Sequence, residues 1–162
     1  MSSEITSSGK KACHTGNRLE SFVKEALKER EYTEVWNHKN AIFDNRKLIG
    51  GKQYAQQVPV GMTIYNSPRK CDFLIVNRAL FPDDLIIECK WQQVAGSVDE
   101  KYPFLYFNIL KTGIPTVVLL DGAGYKKTAM EWLKEQVHPK SALIAVYSMA
   151  EFQKAVNNGL LG

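Results

Sequence analysis

The chain reads as an α/β protein, a mixed β-sheet core flanked by helices. Three observations predict this. Two all-apolar runs, "IPTVVLLDG" (114–122) and "SALIAVYS" (141–148), have the composition of buried parallel strands and bracket a helical stretch, "KKTAMEWLKEQV". Two further strand-like runs, "RKCDFLIVN" (69–77) and "LIIECKW" (85–91), are separated by the short turn material "RALFPDD", which suits an antiparallel hairpin. Ahead of them Leu19, Phe22, Val23, Ala26 and Leu27 recur at the spacing of one face of an amphipathic helix.

In chain order, residues 1–15 are rich in Ser, Gly and Lys and predict a mobile tail, with a single domain over 16–162. The first helix should run from Asn17 to about Arg30. Tyr32 to Trp36 predicts a short strand, and the irregular stretch Asn37 to Pro68 holds one more around Tyr54 to Val60. After the hairpin, Ser97 and Glu100 have the spacing of a capping box for a helix that ends near Lys111 at Gly113. Pro103 sits awkwardly inside that helix. "SMAEFQKAVNNG" predicts a final helix, with a second capping box at Ser148 and Glu151. The order is a helix, a meander of strands with antiparallel pairing, then α-β-α-β-α with parallel crossovers.

At 162 residues, with 44% apolar and 23% charged residues, the composition is that of a globular domain able to bury a core. No apolar run approaches the roughly 20 residues of a membrane span, and no signal-peptide core is present. Three scattered cysteines (Cys13, Cys71, Cys89) suit a reducing, cytoplasmic setting and lack zinc-site spacing; three scattered histidines give no support to a His-based metal centre. Net charge is +4, yet Asn37 to Lys70 carries six basic residues (Lys39, Arg46, Lys47, Lys52, Arg69, Lys70) against Asp44, six minus one giving +5. Such a segment suits either a polyanion such as nucleic acid or a solvated loop.

The chemistry concentrates in "IIECKW". Side chains alternate along a strand, so Glu88 and Lys90 share a face with Ile86, while Leu85, Ile87 and Cys89 face the core. In a hairpin centred near Leu80, paired residue numbers add to about 160, which sets Asp72 opposite Glu88, with Cβ atoms about 4.5–5.5 Å apart. Two carboxylates that close repel unless a cation neutralises them. Mg²⁺ accepts one or two carboxylates with water and phosphate oxygens, and the Cys89 carbonyl offers another oxygen. Lys90 is then placed to orient water or to stabilise charge on a phosphate, which suits phosphodiester hydrolysis. On an ordinary exposed sheet face, Glu88 and Lys90 would instead pair with neighbours. The nearby Pro82-Asp83 is no substitute for Asp72. Asp83 lies five residues before Glu88, about 16 Å along an extended strand, so it reads as a turn.

Asp72, the Glu88-x-Lys90 pair and the α-β-β-β-α-β order together resemble the PD-(D/E)xK nuclease superfamily, over most of the chain. One departure is Cys71, where the family pattern has proline. The resemblance implies a restriction-endonuclease-like fold in which Asp72 and Glu88 bind a metal and Lys90 assists catalysis. It also implies roles for Gln92, two residues past the lysine, and for Glu20 on the first helix. Glu20 stands at the edge of the apolar stripe, a position that equally suits a surface glutamate. "GSVDEKYPF" and "VVLLDGAGYKKTAMEWLKE" look like small restriction-type members, and Lys101 is a candidate phosphate contact. The implied function is a Mg²⁺-dependent DNA endonuclease, with Mn²⁺ able to substitute, acting on double-stranded DNA as a homodimer. A structure-selective nuclease of the Holliday-junction resolvase or repair type, and a catalytically silent DNA-binding subunit, are the alternatives.

Overall fold

Six strands pair side by side in the same order in which they occur along the chain. They are β1 (Thr33–Trp36), β2 (Gln53–Met62), β3 (Pro68–Val76), β4 (Leu85–Trp91), β5 (Thr116–Asp121) and β6 (Leu143–Tyr147). Helices α1 (Ser8–Glu29), α2 (Lys101–Thr112), α3 (Lys127–Glu135) and α4 (Met149–Asn157) complete the domain. The computed structural model describes the backbone of residues 8–36, 51–93 and 100–162, with side chains from residue 18 onward except Trp36.

The sheet is mixed, as the sequence predicts, and its helices lie on both faces. Leu19, Val23 and Leu27 of α1 and Phe152 and Val156 of α4 are fully buried with Phe73, Ile75, Leu85, Ile87, Val117 and Leu119. On the opposite face Leu105 and Ile109 of α2 and Leu133 of α3 pack on Val118, Leu120, Leu143 and Val146. Alternate residues of β5 thus serve both layers, which explains its uninterrupted apolar composition.

β2–β3 and β3–β4 are antiparallel, and β4–β5 and β5–β6 are parallel. The first pair departs from expectation: β1 runs parallel to β2, with Thr33 opposite Gln53. Antiparallel strands can turn back in two residues, whereas parallel ones need a crossover of a dozen or more. Residues 37–52 supply that length.

α1 starts at Ser8, so residues 8–15, expected in a tail, are helical. Lys10, Lys11 and Ala12 favour helix and extend a segment whose buried stripe is already anchored. The expected capping box of α2 is also corrected. Glu100 is itself the N-cap and makes no side-chain cap bond, and Ser97 lies outside the described residues. Pro103 falls in the first turn of α2, where backbone N–H groups have no helical acceptor, so it costs little. Gly113 closes the helix in the left-handed region, its N–H bonding Ile109 O. The second capping box is present as predicted, with Ser148 and Glu151 exchanging bonds ahead of α4.

Candidate active site

Asp72 and Glu88 meet where the β3–β4 ladder ends. The paired residues are Ile75 with Leu85, Leu74 with Ile86 and Phe73 with Ile87, so Asp72 and Glu88 are the next positions in register. There the strands part, and the Asp72 side chain takes over from the ladder: its Oδ2 accepts the Cys89 backbone N–H at 2.7 Å. The carboxylate thereby satisfies a strand donor that the departing backbone leaves free. β4 continues beside β5 as far as Trp91, which keeps Glu88 and Lys90 on a rigid element.

Lys90 closes the cluster. Its Nζ lies 3.1 Å from Glu88 Oε2 and 3.3 Å from Asp72 Oδ2, so both carboxylates converge on one cation position. Glu88 is 3% exposed. Burial pushes its carboxyl above the ordinary value, against the pull of Lys90 and Arg69. Burial alone would lower Lys90, yet Glu88 and Asp72 outweigh it and hold the ammonium above the usual lysine range. In this arrangement Lys90 is a fixed positive charge.

Two residues whose part in the site escaped sequence reasoning hold the carboxylates in place. Arg69, 6% exposed, donates to Glu88 Oε1 at 2.7 Å and also to Thr112 Oγ1 at the end of α2. Thr112 in turn donates to Asn108 O at 2.9 Å. The second is Gln57, whose Nε2 donates to Asp72 Oδ1 at 3.1 Å. Its backbone is left-handed at φ 53°, a conformation that costs energy for a non-glycine residue.

The basic stretch Asn37–Lys70 therefore divides. Arg69 is buried in the site, Lys52 is half-buried and donates to Arg30 O, and Lys70 is exposed. Lys39, Arg46 and Lys47 lie outside the described residues.

Gln92 is buried beside the site and lines the same cleft, but its amide is engaged structurally. Nε2 donates to Gly124 O at 3.1 Å, and Oε1 accepts from the Tyr102 hydroxyl. Gly122 packs so closely here that a Cβ would sit 2.0 Å from Gln92 O, and its φ is +111°. Gly122→Ala must push the end of β4 aside, so it is expected to cost more than about 1 kcal/mol in thermal denaturation and to lower activity. An unchanged melting temperature would disprove that close approach.

Glu20 is half-buried on α1, near enough for its charge to act on Cys89. That is the side of β4 which packs against α1, whereas Glu88 and Lys90 line the cleft on the α2 side. Pro82 and Asp83 form a turn, as expected.

The donor set fits a hard divalent cation. Two convergent carboxylates and main-chain oxygen suit Mg²⁺, which retains several waters. Among the described residues, no three His, Cys, Asp or Glu side chains form a group able to hold a metal, so a protein-only cage is absent. The thiols are poor ligands here: burial pushes Cys71 up to about 12 and raises Cys89 well above its usual value, keeping both protonated.

Among curated proteins no significant sequence match is found. One solved structure similar to this chain is the small subunit of the heterodimeric restriction endonuclease R.BspD6I, at 17% identity and a TM-score of 0.38. The likeness covers 70% of this chain and 62% of that subunit. The sequence of residues 11–160 matches the PD-(D/E)XK nuclease superfamily domain, a span that contains the whole carboxylate–lysine cluster. With Asp72, Glu88 and Lys90 gathered at the end of a hairpin ladder, and the family match running through nearly the entire fold, this chain belongs to the PD-(D/E)XK nuclease superfamily.

Proposed function

We propose that the protein is a divalent-metal-dependent DNA endonuclease of the restriction type, hydrolysing phosphodiester bonds in double-stranded DNA with Mg²⁺, or with Mn²⁺ in its place. The observation that carries this reading is the convergence of Asp72 and Glu88 on the single position that Lys90 Nζ now neutralises. Asp72, Glu88 and the Cys89 carbonyl would hold the ion, which supplies Lewis-acid polarisation of the phosphate and a more acidic water. Lys90, kept charged, stabilises negative charge growing on the phosphate oxygens. Arg69 and Gln57 fix the two carboxylates, so little reorganisation is needed on reaching the transition state.

Two-fold symmetric DNA sites match two-fold symmetric proteins, so we propose a homodimer working in the cytoplasm. No helix among the described residues is long and apolar enough to cross a membrane. Incubating plasmid DNA with the protein and Mg²⁺ is expected to give discrete fragments on a gel. No cleavage of any nucleic acid with any divalent ion would remove the nuclease reading. A second reading, a structure-selective nuclease of the resolvase or repair kind, draws support from Glu20, whose charge reaches Cys89 from the first helix. Cutting confined to four-way junctions would favour it.

A further inference from the structure

An open cleft of about 670 Å³ adjoins Glu88 and Lys90. Glu88 and Lys90 form part of one wall, while Tyr102, Phe104 and Leu105 of α2 form the opposite, largely apolar wall. Lys70 and Lys101 are exposed at its border, and neither makes an ion pair among the described residues. The Phe104 ring is braced by Tyr65, stacked on it at 5.2 Å and 24°. Tyr65 stands at the tip of the β2–β3 connection, which is fastened to α2 by Ile64 N donating to Asn108 Oδ1 and by Lys111 Nζ donating to Thr63 O. The loop that backs the Phe104 ring is therefore tied to α2 at two points.

We propose that this cleft seats one unpaired nucleotide of the DNA, extruded beside the phosphate handled by Asp72, Glu88 and Lys90. The inference rests on the nuclease reading and refines its substrate to a duplex that already presents an unpaired, unstacked base. A base in a duplex has both π-faces covered and cannot enter a cleft with an aromatic wall; an extruded one exposes a face that stacks on such a wall. The cleft has the size of small-ligand sites, roughly 300–1,000 Å³. Border cations Lys70 and Lys101 suit the flanking phosphates. Continuity with Glu88 and Lys90 places the occupant next to the reacting phosphate.

The test measures anisotropy of the full chain, with Ca²⁺ replacing Mg²⁺, on three DNAs: a paired duplex, the same duplex with a one-nucleotide bulge, and a single strand. Wild type is expected to bind the bulged duplex about tenfold more tightly than the paired one, the scale of one base–aromatic stack. Phe104→Leu keeps an apolar side chain without a π-face and should erase that preference while leaving paired-duplex affinity within about twofold. Tyr65→Ala, at a site 77% exposed, should reduce the preference without threatening the fold. Equal affinity for paired and bulged DNA, or equal weakening of both by Phe104→Leu, would overturn the inference. Parallel plasmid digests with Mg²⁺ separate the two claims: cleavage without bulge preference defeats the cleft alone, and failure to cleave defeats the nuclease reading.

Discussion

Glu88→Gln is expected to lower Mg²⁺-dependent cleavage of plasmid DNA by at least about 10²-fold while leaving the fold intact. Glutamine retains the oxygen that accepts from Arg69 at the Oε1 position, so the buried guanidinium keeps a hydrogen-bond partner. What disappears is the negative charge that a divalent ion needs. Glu88→Ala is a different experiment. It deprives Arg69, itself 6% exposed, of its counter-charge, and stranding one member of a buried pair costs about 3–5 kcal/mol. Gel assays paired with urea unfolding distinguish the two variants. Full activity in Glu88→Gln would remove Glu88 from the metal site.

Arg69→Met carries the second large effect, this time on stability. Glu88 would keep Lys90, 3.1 Å from its other oxygen, so the expected loss lies at the low end of the buried-pair range, about 3 kcal/mol at pH 7.5. The deficit should depend on pH. Burial raises Glu88 above its unfolded value near 4.5, so the folded state holds that proton more tightly. A group raised in this way contributes stability that is fully present below the unfolded value and is lost as pH rises through the folded one. Removing Arg69 raises Glu88 further. The gap between wild type and Arg69→Met should therefore narrow as pH falls from 7.5 toward 5. Urea unfolding at both values measures it, and a gap independent of pH would show that lost packing, not the buried charge, sets the cost.

The contrast between Glu88 and Arg69 also shows what the amino-acid order could convey. Asp72 and Glu88 were legible because a hairpin with a short turn has a nearly fixed register, and the β3–β4 ladder ends one step before that pair. Arg69 was not. Cys71 packs with Leu74, Val76 and Ile86, whereas Phe73 and Ile75 join the α1 face, so strict alternation fails at Asp72. Counting back in twos from Phe73 sends Arg69 to the wrong side of the sheet. The same region contains Gln57, whose left-handed backbone no propensity anticipates. Gln92 was legible as a neighbour of the site but not as a residue tied to Gly124 and Tyr102, because those contacts join positions far apart in sequence. The parallel pairing of β1 was hidden for a related reason: a long connection says nothing about strand direction.

The matching of strand order to chain order has a bearing on how the molecule assembles. Each strand after β1 finds its neighbour already made, so the sheet can lengthen from one edge as synthesis proceeds, and the hairpin bearing Asp72 and Glu88 needs only a short loop to close. α1 completes its packing in two steps. Its buried face can settle on Phe73, Ile75, Leu85 and Ile87 once the hairpin exists, but it also meets Phe152 and Val156, and the Arg30 guanidinium just beyond it bonds Val156 O across 126 residues. Closing that largest loop waits for the final helix. The hairpin bearing Asp72 and Glu88 and the clasp between α1 and α4 thus belong to opposite ends of the folding sequence: the carboxylates are paired early, and the two chain ends are joined late.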